Sequence, residues 1–286
     1  MNPGIHTIKQ IGELANFSAF DDIIDVRSPA EFAEDHIPRS INCPVLDNAQ
    51  RCEVGTLYKQ VSPFAAKKIG AAYVSEIVCW RGGQRSGAMT HIFRRIGWDA
   101  QQMEGGYKRY RALVVERLAE LPRQMQFKVI CGATGSAKSR ILHALARFGA
   151  QVLDLEELAC HKGSVLGVLP DVPQPSQKMF DSRLLLDLQG FDPARPVFVE
   201  AESRKIGTNH LPEALIETMR SGQCLTVEAT FPARVDFLLR DYDYFLSAPD
   251  WLNSRLDVLR NLQSKETIAR WQGYATQGHW RALVKE

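Results

Sequence analysis

Short apolar runs alternate with helix-like segments along the first 120 residues of the chain. The run at 22–26 indicates a buried strand, and a second brief strand is expected at 41–45. Apolar positions at helical spacing predict helices at 30–36, 64–75, 86–96 and 113–121. This alternation is typical of an α/β fold with a parallel sheet.

The pattern restarts after Pro122-Arg123-Gln124, which ends the last of these helices. The second half has predicted strands at 127–131, 151–154 and 196–200, a helix at 138–148, and mostly helices from Pro212 onward. We therefore expect two domains, residues 1–122 and residues 123–286, of which the second is α/β with a helical C-terminal part.

The composition is that of a globular chain, with 45% hydrophobic and 24% charged residues and a net charge of +2. Binding to a polyanion would therefore depend on local basic clusters. No apolar run approaches the ~20 residues needed to span a bilayer, and residues 1–10 lack the features of a signal peptide. Six cysteines without CxxC spacing, at positions 43, 52, 79, 131, 160 and 224, indicate free thiols in a reducing cytoplasm.

A glycine- and arginine-containing loop follows the apolar residues at 77–78 and opens a helix. It reads Cys79-Trp80-Arg81-Gly82-Gly83-Gln84-Arg85-Ser86. Two glycines allow the backbone N–H groups to curl around an anion, and the helix N-terminus adds positive potential. Because Arg81 and Arg85 add fixed charge, the loop favours the nucleophilic thiolate of Cys79. The alternative, a buried strand-end cysteine, is the common fate of a cysteine without such a loop.

These features predict Cys79, Arg81 and Arg85 as catalytic residues. The same loop would hold a sulfur- or selenium-loaded cysteine as its anion. The remaining members of the predicted anion loop are Trp80, Gly82, Gly83, Gln84 and Ser86.

A second loop, residues 132–139, fits the P-loop template GxxxxGK[ST], except that Ala137 stands where glycine is expected. In that template backbone amides wrap phosphate oxygens, Lys138 bridges outer phosphates and the Ser139 hydroxyl can ligate a metal. We expect Ala137 to narrow this cradle or tilt its amides; the alternative is a small-residue turn between strand and helix. The predicted phosphate-binding residues are Gly132, Gly135, Lys138 and Ser139.

Acidic residues follow the apolar strand at 196–200. Glu200 and Glu202 share one side of a strand, because side chains alternate with period two. P-loop proteins place the acid that orients a metal or its water at this position, so both carboxylates are candidates for one site. Asp154 is a weaker candidate of the same kind. The identity of a metal stays open, with magnesium compatible; solvent-facing charge is the alternative reading.

Several motifs connect the chain to a known family. Residues 24–32 with His36-Ile37-Pro38 resemble the N-terminal rhodanese motif, and Glu104-Gly105-Gly106-Tyr107 resembles the motif that closes that domain. The Cys79–Ser86 loop resembles the active loop of bacterial tRNA 2-selenouridine synthases. Blocks of the same family are similar, in the same order, to residues 55–63, 161–164, 174–178 and 199–207.

The resemblance implies a transferase that replaces sulfur by selenium in the wobble 2-thiouridine of tRNAs for lysine, glutamate and glutamine. It also implies S-geranylation of that base. The substrates would be selenophosphate and geranyl diphosphate, with no permanently bound cofactor. Cys79 would be the rhodanese nucleophile, and the P-loop domain would bind the prenyl diphosphate. A cytoplasmic monomer without membrane contact is expected.

Contact with tRNA is expected at basic clusters, with Trp80 or Tyr107 available to stack on an extruded base. Solvated helix faces are the alternative reading of each cluster. The clusters are Arg94-Arg95, Lys108-Arg109-Tyr110-Arg111 and Arg204-Lys205.

The chain departs from the family pattern at several positions. Only 76–78 separate a predicted helix from Cys79, Asp35 and Arg39 replace common glycines, and family members are expected to continue beyond residue 286. Two other functions therefore stay open. One is a rhodanese/P-loop kinase or ATPase acting on a small molecule, and the other is a tRNA-binding remnant with impaired catalysis.

Overall fold

A computed structural model describes residues 7–8, 20–64, 66, 69, 84–103 and 105–286. The chain forms two compact units, which divide after Leu118. The N-terminal unit also includes the later segment Ser176–Gln189. The C-terminal unit comprises Ala119–Pro175 and Gly190–Glu286.

The N-terminal unit contains short parallel strand pairs and helices. Strand β1 (Thr7–Ile8) pairs with β4 (Gln102–Met103), and β2 (Ile24–Asp25) pairs with β3 (Ile41–Asn42). The helices that begin in this unit are α1 (Pro29–Glu34), α2 (Asn48–Gln60), α3 (Gln84–Arg95), α4 (Gly106–Glu120) and α7 (Gln177–Gly190). The predicted strands at 22–26 and 41–45 and the helices at 30–36 and 86–96 are confirmed in type and place. The helix predicted at 113–121 is present but begins at Gly106, and most of the helix predicted at 64–75 lies outside the described residues.

Helix α2 was missed by the apolar pattern, and its N-terminus explains why it forms. The Asp47 carboxylate accepts a hydrogen bond from the Gln50 backbone N–H at 2.8 Å, and the Gln50 amide oxygen accepts one from the Asp47 N–H at 3.0 Å. This reciprocal capping box satisfies two helix-end donors. None of its described side chains is fully buried, so no apolar stripe reveals the helix in the sequence.

A buried polar network occupies the core of the N-terminal unit. The Asp35 carboxylate is 1% exposed and accepts hydrogen bonds from Tyr107 Oη at 2.7 Å and Ser182 Oγ at 2.9 Å. Arg111 lies 3.5 Å from Asp35 and 3.0 Å from Asp181. Asp35 is therefore the acceptor that joins α4 to α7.

The packing around this network contradicts part of the predicted tRNA-binding surface. Tyr110 is buried, and Arg111 binds Asp35 and Asp181. The Tyr107 ring lies 3.5 Å below the Arg27 guanidinium, and burial together with the Asp35 contact raises the pKa of its hydroxyl. The prediction that Tyr110 contacts RNA was wrong, because its side chain is buried. Lys108 and Arg109 of the same cluster are exposed, and tRNA contact there stays a prediction.

The C-terminal unit is built on a four-stranded parallel sheet. Its strands are β5 (Phe127–Cys131), β6 (Gln151–Leu153), β7 (Val197–Glu200) and β10 (Gln223–Thr226), in the spatial order β10-β5-β7-β6. Three of the four strands were predicted. β10 was missed because it is a short edge strand without a buried side chain.

This strand order creates a crevice at the carboxyl end of β5. The chain passes from β5 to β6 on one side of β5, whereas β10 lies on the other side of β5. The loops that leave the sheet at this point therefore run in opposite directions. Helix α5 (Lys138–Arg147) begins at this point. Val197 and Val199 of β7, which share one face of the sheet, are fully buried.

The remaining elements flank the sheet or follow it. They are α6 (Leu155–Ala159), the hairpin β8 (Lys205–Ile206) and β9 (Asn209–His210), α8 (Glu213–Ser221), α9 (Phe231–Asp241), α10 (Asp243–Leu246), α11 (Pro249–Leu256), α12 (Lys265–Thr276) and α13 (Trp280–Lys285), with 3-10 turns at Leu121–Gln124 and Asp257–Asn261. The predicted helical C-terminal part is confirmed. No helix in the described ranges is both long and apolar enough to cross a bilayer.

Two cysteines contradict the prediction of free thiols. Cys131 of β5 and Cys224 of β10 form a disulfide, with 6.1 Å between their Cα atoms. The two positions are 93 residues apart in sequence, so only the pairing of β10 with β5 brings them together. Cys43, Cys52 and Cys160 are free among the described residues.

Candidate phosphate-binding site

Residues 132–139 form a tightly packed P-loop between β5 and α5. A Cβ atom on Gly132 would lie 2.7 Å from the Val227 carbonyl oxygen, and one on Gly135 would lie 3.0 Å from both Arg234 O and Leu238 Cγ. Gly135 also has a φ of +83°. Both glycines are therefore required by close backbone approach. Arg234 donates to the Thr134 carbonyl at 2.8 Å and fixes the loop to α9.

Ala137 adopts a left-handed backbone conformation, with φ 64° and ψ 29°, at the N-cap of α5. This conformation favours glycine, which the template has at this position. Because the alanine Cβ crowds the backbone there, the residue carries strain of about 1–2 kcal/mol. The strain that alanine introduces is therefore in the backbone of residue 137 itself.

We expect Ala137→Gly to raise the free energy of unfolding by about 0.5–1 kcal/mol, since relief of strain exceeds the added entropy of the unfolded chain. Urea unfolding measured by tryptophan fluorescence tests this. Ala144→Gly, inside α5, is the matched control and should lower stability by about 1 kcal/mol. Equal destabilisation by both substitutions would show that residue 137 is not strained.

The predicted phosphate-binding side chains meet the predicted acid. Lys138 Nζ lies 3.3 Å from Glu200 Oε1. Ser139 Oγ donates to Glu200 Oε2 at 2.8 Å and lies 3.2 Å from Glu156 Oε2. The end of β7 and the start of α5 therefore form one polar centre, with an ammonium group, a hydroxyl and carboxylates within hydrogen-bonding distance.

Three carboxylates converge beside Ser139. One oxygen from each of Glu156, Glu200 and Glu202 lies within 4.8 Å of the others. Burial, reinforced by the neighbouring carboxylates, raises the pKa of Glu156 to about 8 and that of Glu202 to about 7. Carboxylate and hydroxyl oxygens are the ligands that Mg²⁺ prefers. The donor set thus fits a divalent cation at this position.

The predicted acid Asp154 is not part of this polar centre. The third carboxylate of the centre comes from Glu156 instead. The Asp154 carboxylate caps α6 by accepting from the Glu157 N–H at 2.8 Å, and it contacts His143 Nε2 at 2.9 Å. The sequence analysis missed Glu156 because it belongs to a short helix, and only the fold brings that helix beside the P-loop.

A cavity of about 280 Å³ opens over the P-loop. Its walls come from the P-loop, the three glutamates, the loop 162–164 and the end of α9 with Tyr242. The volume is close to the lower bound of about 300 Å³ for small-molecule sites. Phe237 and Leu238 add apolar surface to a wall that otherwise carries charge.

The predicted anion loop is only partly described. Cys79, Trp80, Arg81, Gly82 and Gly83 lie outside the described residues. Gln84 and Arg85 are the first residues of helix α3, which therefore begins two residues before the predicted helix at 86–96. The Ser86 hydroxyl accepts a hydrogen bond from Gln102 Nε2 at 2.9 Å.

Comparisons with known families match both halves of the chain. Residues 9–113 match the rhodanese-like domain, and residues 125–255 match the tRNA 2-selenouridine synthase AAA domain. These matches agree with the α/β fold and with the order of the two parts described above.

Individual relatives are similar over most of the chain. The tRNA 2-selenouridine synthase of Nitrosomonas europaea is 36% identical over 252 residues, which cover 80% of this chain and 65% of that protein. The tRNA 2-selenouridine synthase of Bdellovibrio bacteriovorus is 32% identical over 246 residues, covering 77% and 64% respectively. That of Cupriavidus pinatubonensis is 31% identical over 279 residues, covering 89% and 72%. The chain thus spans about two thirds of the length of these relatives.

Proposed function

This chain belongs to the tRNA 2-selenouridine synthase family, and from that premise we propose that it is a tRNA-modifying transferase of the bacterial cytoplasm. It replaces sulfur by selenium in wobble 2-thiouridine, with selenophosphate as donor, after S-geranylation of the base by geranyl diphosphate. Its substrates are the tRNAs for lysine, glutamate and glutamine, and it acts as a monomer.

The observation that carries the proposal is the polar centre of the P-loop cavity. Lys138 and Ser139 lie at the N-terminus of α5, where backbone amides and the helix dipole favour a phosphate. Phe237 and Leu238 border the same cavity, so a ligand with a phosphate end and a hydrocarbon end matches its lining. A prenyl diphosphate is such a ligand.

A magnesium ion fits the same centre. Ser139 and the carboxylates of Glu156, Glu200 and Glu202 would hold it, and it would neutralise charge on the diphosphate. Lys138 stabilises the negative charge that develops on the leaving diphosphate.

The order of the two chemical steps follows from leaving-group ability at C2 of the base. The thiouridine sulfur attacks C1 of the geranyl group, the C1–O bond breaks, and diphosphate departs with the electron pair. The base then carries a thioether at C2. The Cys79 thiolate attacks C2, the C2–S bond breaks, and geranylthiolate departs, which leaves the base joined to Cys79 by a thioether. The selenium of selenophosphate then attacks C2, the bond from C2 to Cys79 Sγ breaks and returns the thiolate, and water cleaves the P–Se bond to give phosphate and the seleno-nucleoside.

Mass spectrometry of nucleosides tests this scheme, after thiolated tRNA is incubated with the protein, geranyl diphosphate, selenophosphate, magnesium and a thiol. The parent should yield 2-selenouridine. Cys79→Ser should accumulate S-geranyl-2-thiouridine without the selenium product, because the P-loop centre is unchanged.

Cys52→Ser, which removes an exposed free thiol, is the matched control and should behave like the parent. If Cys79→Ser forms 2-selenouridine at the parental rate, the nucleophile is another group. If thiolated tRNA binds to the parent but no product forms, the protein is a tRNA-binding remnant with impaired catalysis.

A further inference from the structure

The loop after α6 builds one wall of the P-loop cavity. The backbone closes on itself here, since the Lys162 N–H donates to Gly167 O at 2.8 Å and the Gly167 N–H donates to Ser164 O at 2.8 Å. Lys162, Gly163 and Ser164 all line the cavity. We call residues 162–164 the cavity loop. The proposed reaction as described so far gives these residues no role.

Gly163 brings the cavity loop onto the carboxylates. Its φ is +61°, and a Cβ atom at this position would lie 2.7 Å from Glu156 Oε1 and 2.7 Å from Glu202 Oε1. Only glycine allows the backbone to approach both carboxylates at this conformation. The loop that carries Lys162 is therefore fixed directly against the polar centre.

Lys162 presents its ammonium group to the cavity from a wall separate from the P-loop. Its Nζ lies 2.7 Å from Asp241 Oδ2 and also donates to the Asp241 carbonyl oxygen. The same group lies 4.5 Å from the centre of the Tyr242 ring and 5.3 Å from that of Tyr244. A carboxylate and two aromatic rings thus hold the cation in one place.

Asp241 has a second cationic partner. Arg140 Nη2 lies 3.3 Å from Asp241 Oδ1, and the Arg140 side chain is 67% exposed. When Lys162 turns towards an anion in the cavity, Asp241 keeps a partner. The ion pair of Lys162 with Asp241 can therefore exchange for a ligand without leaving a carboxylate unpaired.

We propose that Lys162 is the second phosphate-binding cation of this cavity. It binds one phosphate of a diphosphate ester whose other phosphate lies in the P-loop against Lys138. Asp241 orients the ammonium group until the ligand arrives. This inference rests on the proposed function of the cavity, and it extends that function by assigning a residue that distinguishes diphosphates from monophosphates.

Isothermal titration calorimetry with inorganic pyrophosphate, at fixed magnesium concentration, tests the proposal. Lys162→Ala should weaken binding about tenfold or more, since a charge-assisted contact is lost. Inorganic phosphate should bind the variant and the parent within about twofold of each other, because Lys138 alone holds it. Lys265→Ala, which removes an exposed lysine outside the cavity lining, is the matched control and should also stay within about twofold.

A double-mutant cycle tests whether Lys162 and Asp241 act together in pyrophosphate binding. Asp241→Asn should tighten pyrophosphate binding several-fold by freeing Lys162, on the order of 1 kcal/mol. In Lys162→Ala/Asp241→Asn most of that gain should disappear, because the two residues act as a unit. Additive effects, or parental affinity in Lys162→Ala, would overturn the proposal.

The proposed function and this inference fail in different ways. Loss of pyrophosphate binding in Lys138→Ala but not in Lys162→Ala would reject only the inference. Parental binding in both variants would reject the phosphate-binding cavity itself. Thermal unfolding of each variant, together with Lys162→Arg, which should retain part of the affinity, separates lost contacts from a lost fold.

Discussion

Lys138→Ala should lower the rate of S-geranylation by about a hundredfold or more, because it removes a cation positioned for the leaving diphosphate. Lys138 opens α5 beside the P-loop amides, and its Nζ lies 3.3 Å from Glu200 Oε1. The measurement is a single-turnover assay with thiolated tRNA and geranyl diphosphate, without selenophosphate. Quantifying S-geranyl-2-thiouridine by mass spectrometry isolates the step assigned to the P-loop.

Lys265→Ala is the matched control for this prediction. Lys265 is an exposed lysine in the first turn of α12, outside the cavity lining, and its loss should leave the rate unchanged. A parental rate in Lys138→Ala would contradict the assignment of the P-loop. ATP hydrolysis that needs no tRNA and disappears in Lys138→Ala would instead favour the small-molecule kinase or ATPase.

Asp35→Ala should lower the free energy of unfolding of the N-terminal unit by about 3–5 kcal/mol. The substitution leaves the half-buried Arg111 guanidinium without one of its carboxylates and leaves the Tyr107 and Ser182 hydroxyls without their acceptor. Each buried group that loses a partner adds about 1–3 kcal/mol. Denaturant unfolding monitored by circular dichroism measures the loss.

The neighbouring acid provides the matched control for Asp35. Glu34 forms an exposed ion pair with Lys178, so Glu34→Ala should cost about 0–1 kcal/mol. Asp35→Gly, which introduces the residue common in the family, should destabilise like Asp35→Ala, because the hydroxyls and Arg111 again lose their acceptor. Similar stabilities for Asp35→Ala and Glu34→Ala would show that the network contributes little.

The phosphate site was largely predictable because its signals are local. An apolar run, the small residues of 132–139 and the periodicity of α5 are adjacent in sequence, and the structure has β5 and α5 at the predicted places. The conformation of Ala137 could also be expected, because the template requires a left-handed residue there. In this segment the phosphate-binding residues and the strand and helix that position them are adjacent in sequence.

Residues that reach the site from distant segments were not predictable in the same way. Glu156 carries no strand-end signal of its own, and the family block 161–164 gives Lys162 no role. Both residues line the cavity because β6 returns the chain beside β7. Asp154 looked like the better candidate, since it ends an apolar strand, but its carboxylate caps α6. Sequence spacing could not distinguish a capping acid from a site acid.

The burial of Tyr110 follows from a periodicity that the sequence itself carries. Tyr110, Leu113, Val114 and Leu118 are buried, and their spacing of three and four residues marks one face of α4. A helical projection would have placed Tyr110 on the buried face. Arg111 is different, since its position is explained by Asp35, which follows α1, and by Asp181 of α7, and both acids lie far from it in sequence.

The most direct test of the account is whether the P-loop cavity transfers a prenyl group. Thiolated tRNA would be incubated with the protein, geranyl diphosphate and magnesium, and both the nucleosides and the released pyrophosphate would be quantified. We expect S-geranyl-2-thiouridine and pyrophosphate in equal amounts. Unchanged 2-thiouridine, with folded protein and intact tRNA, would contradict the assignment of the cavity.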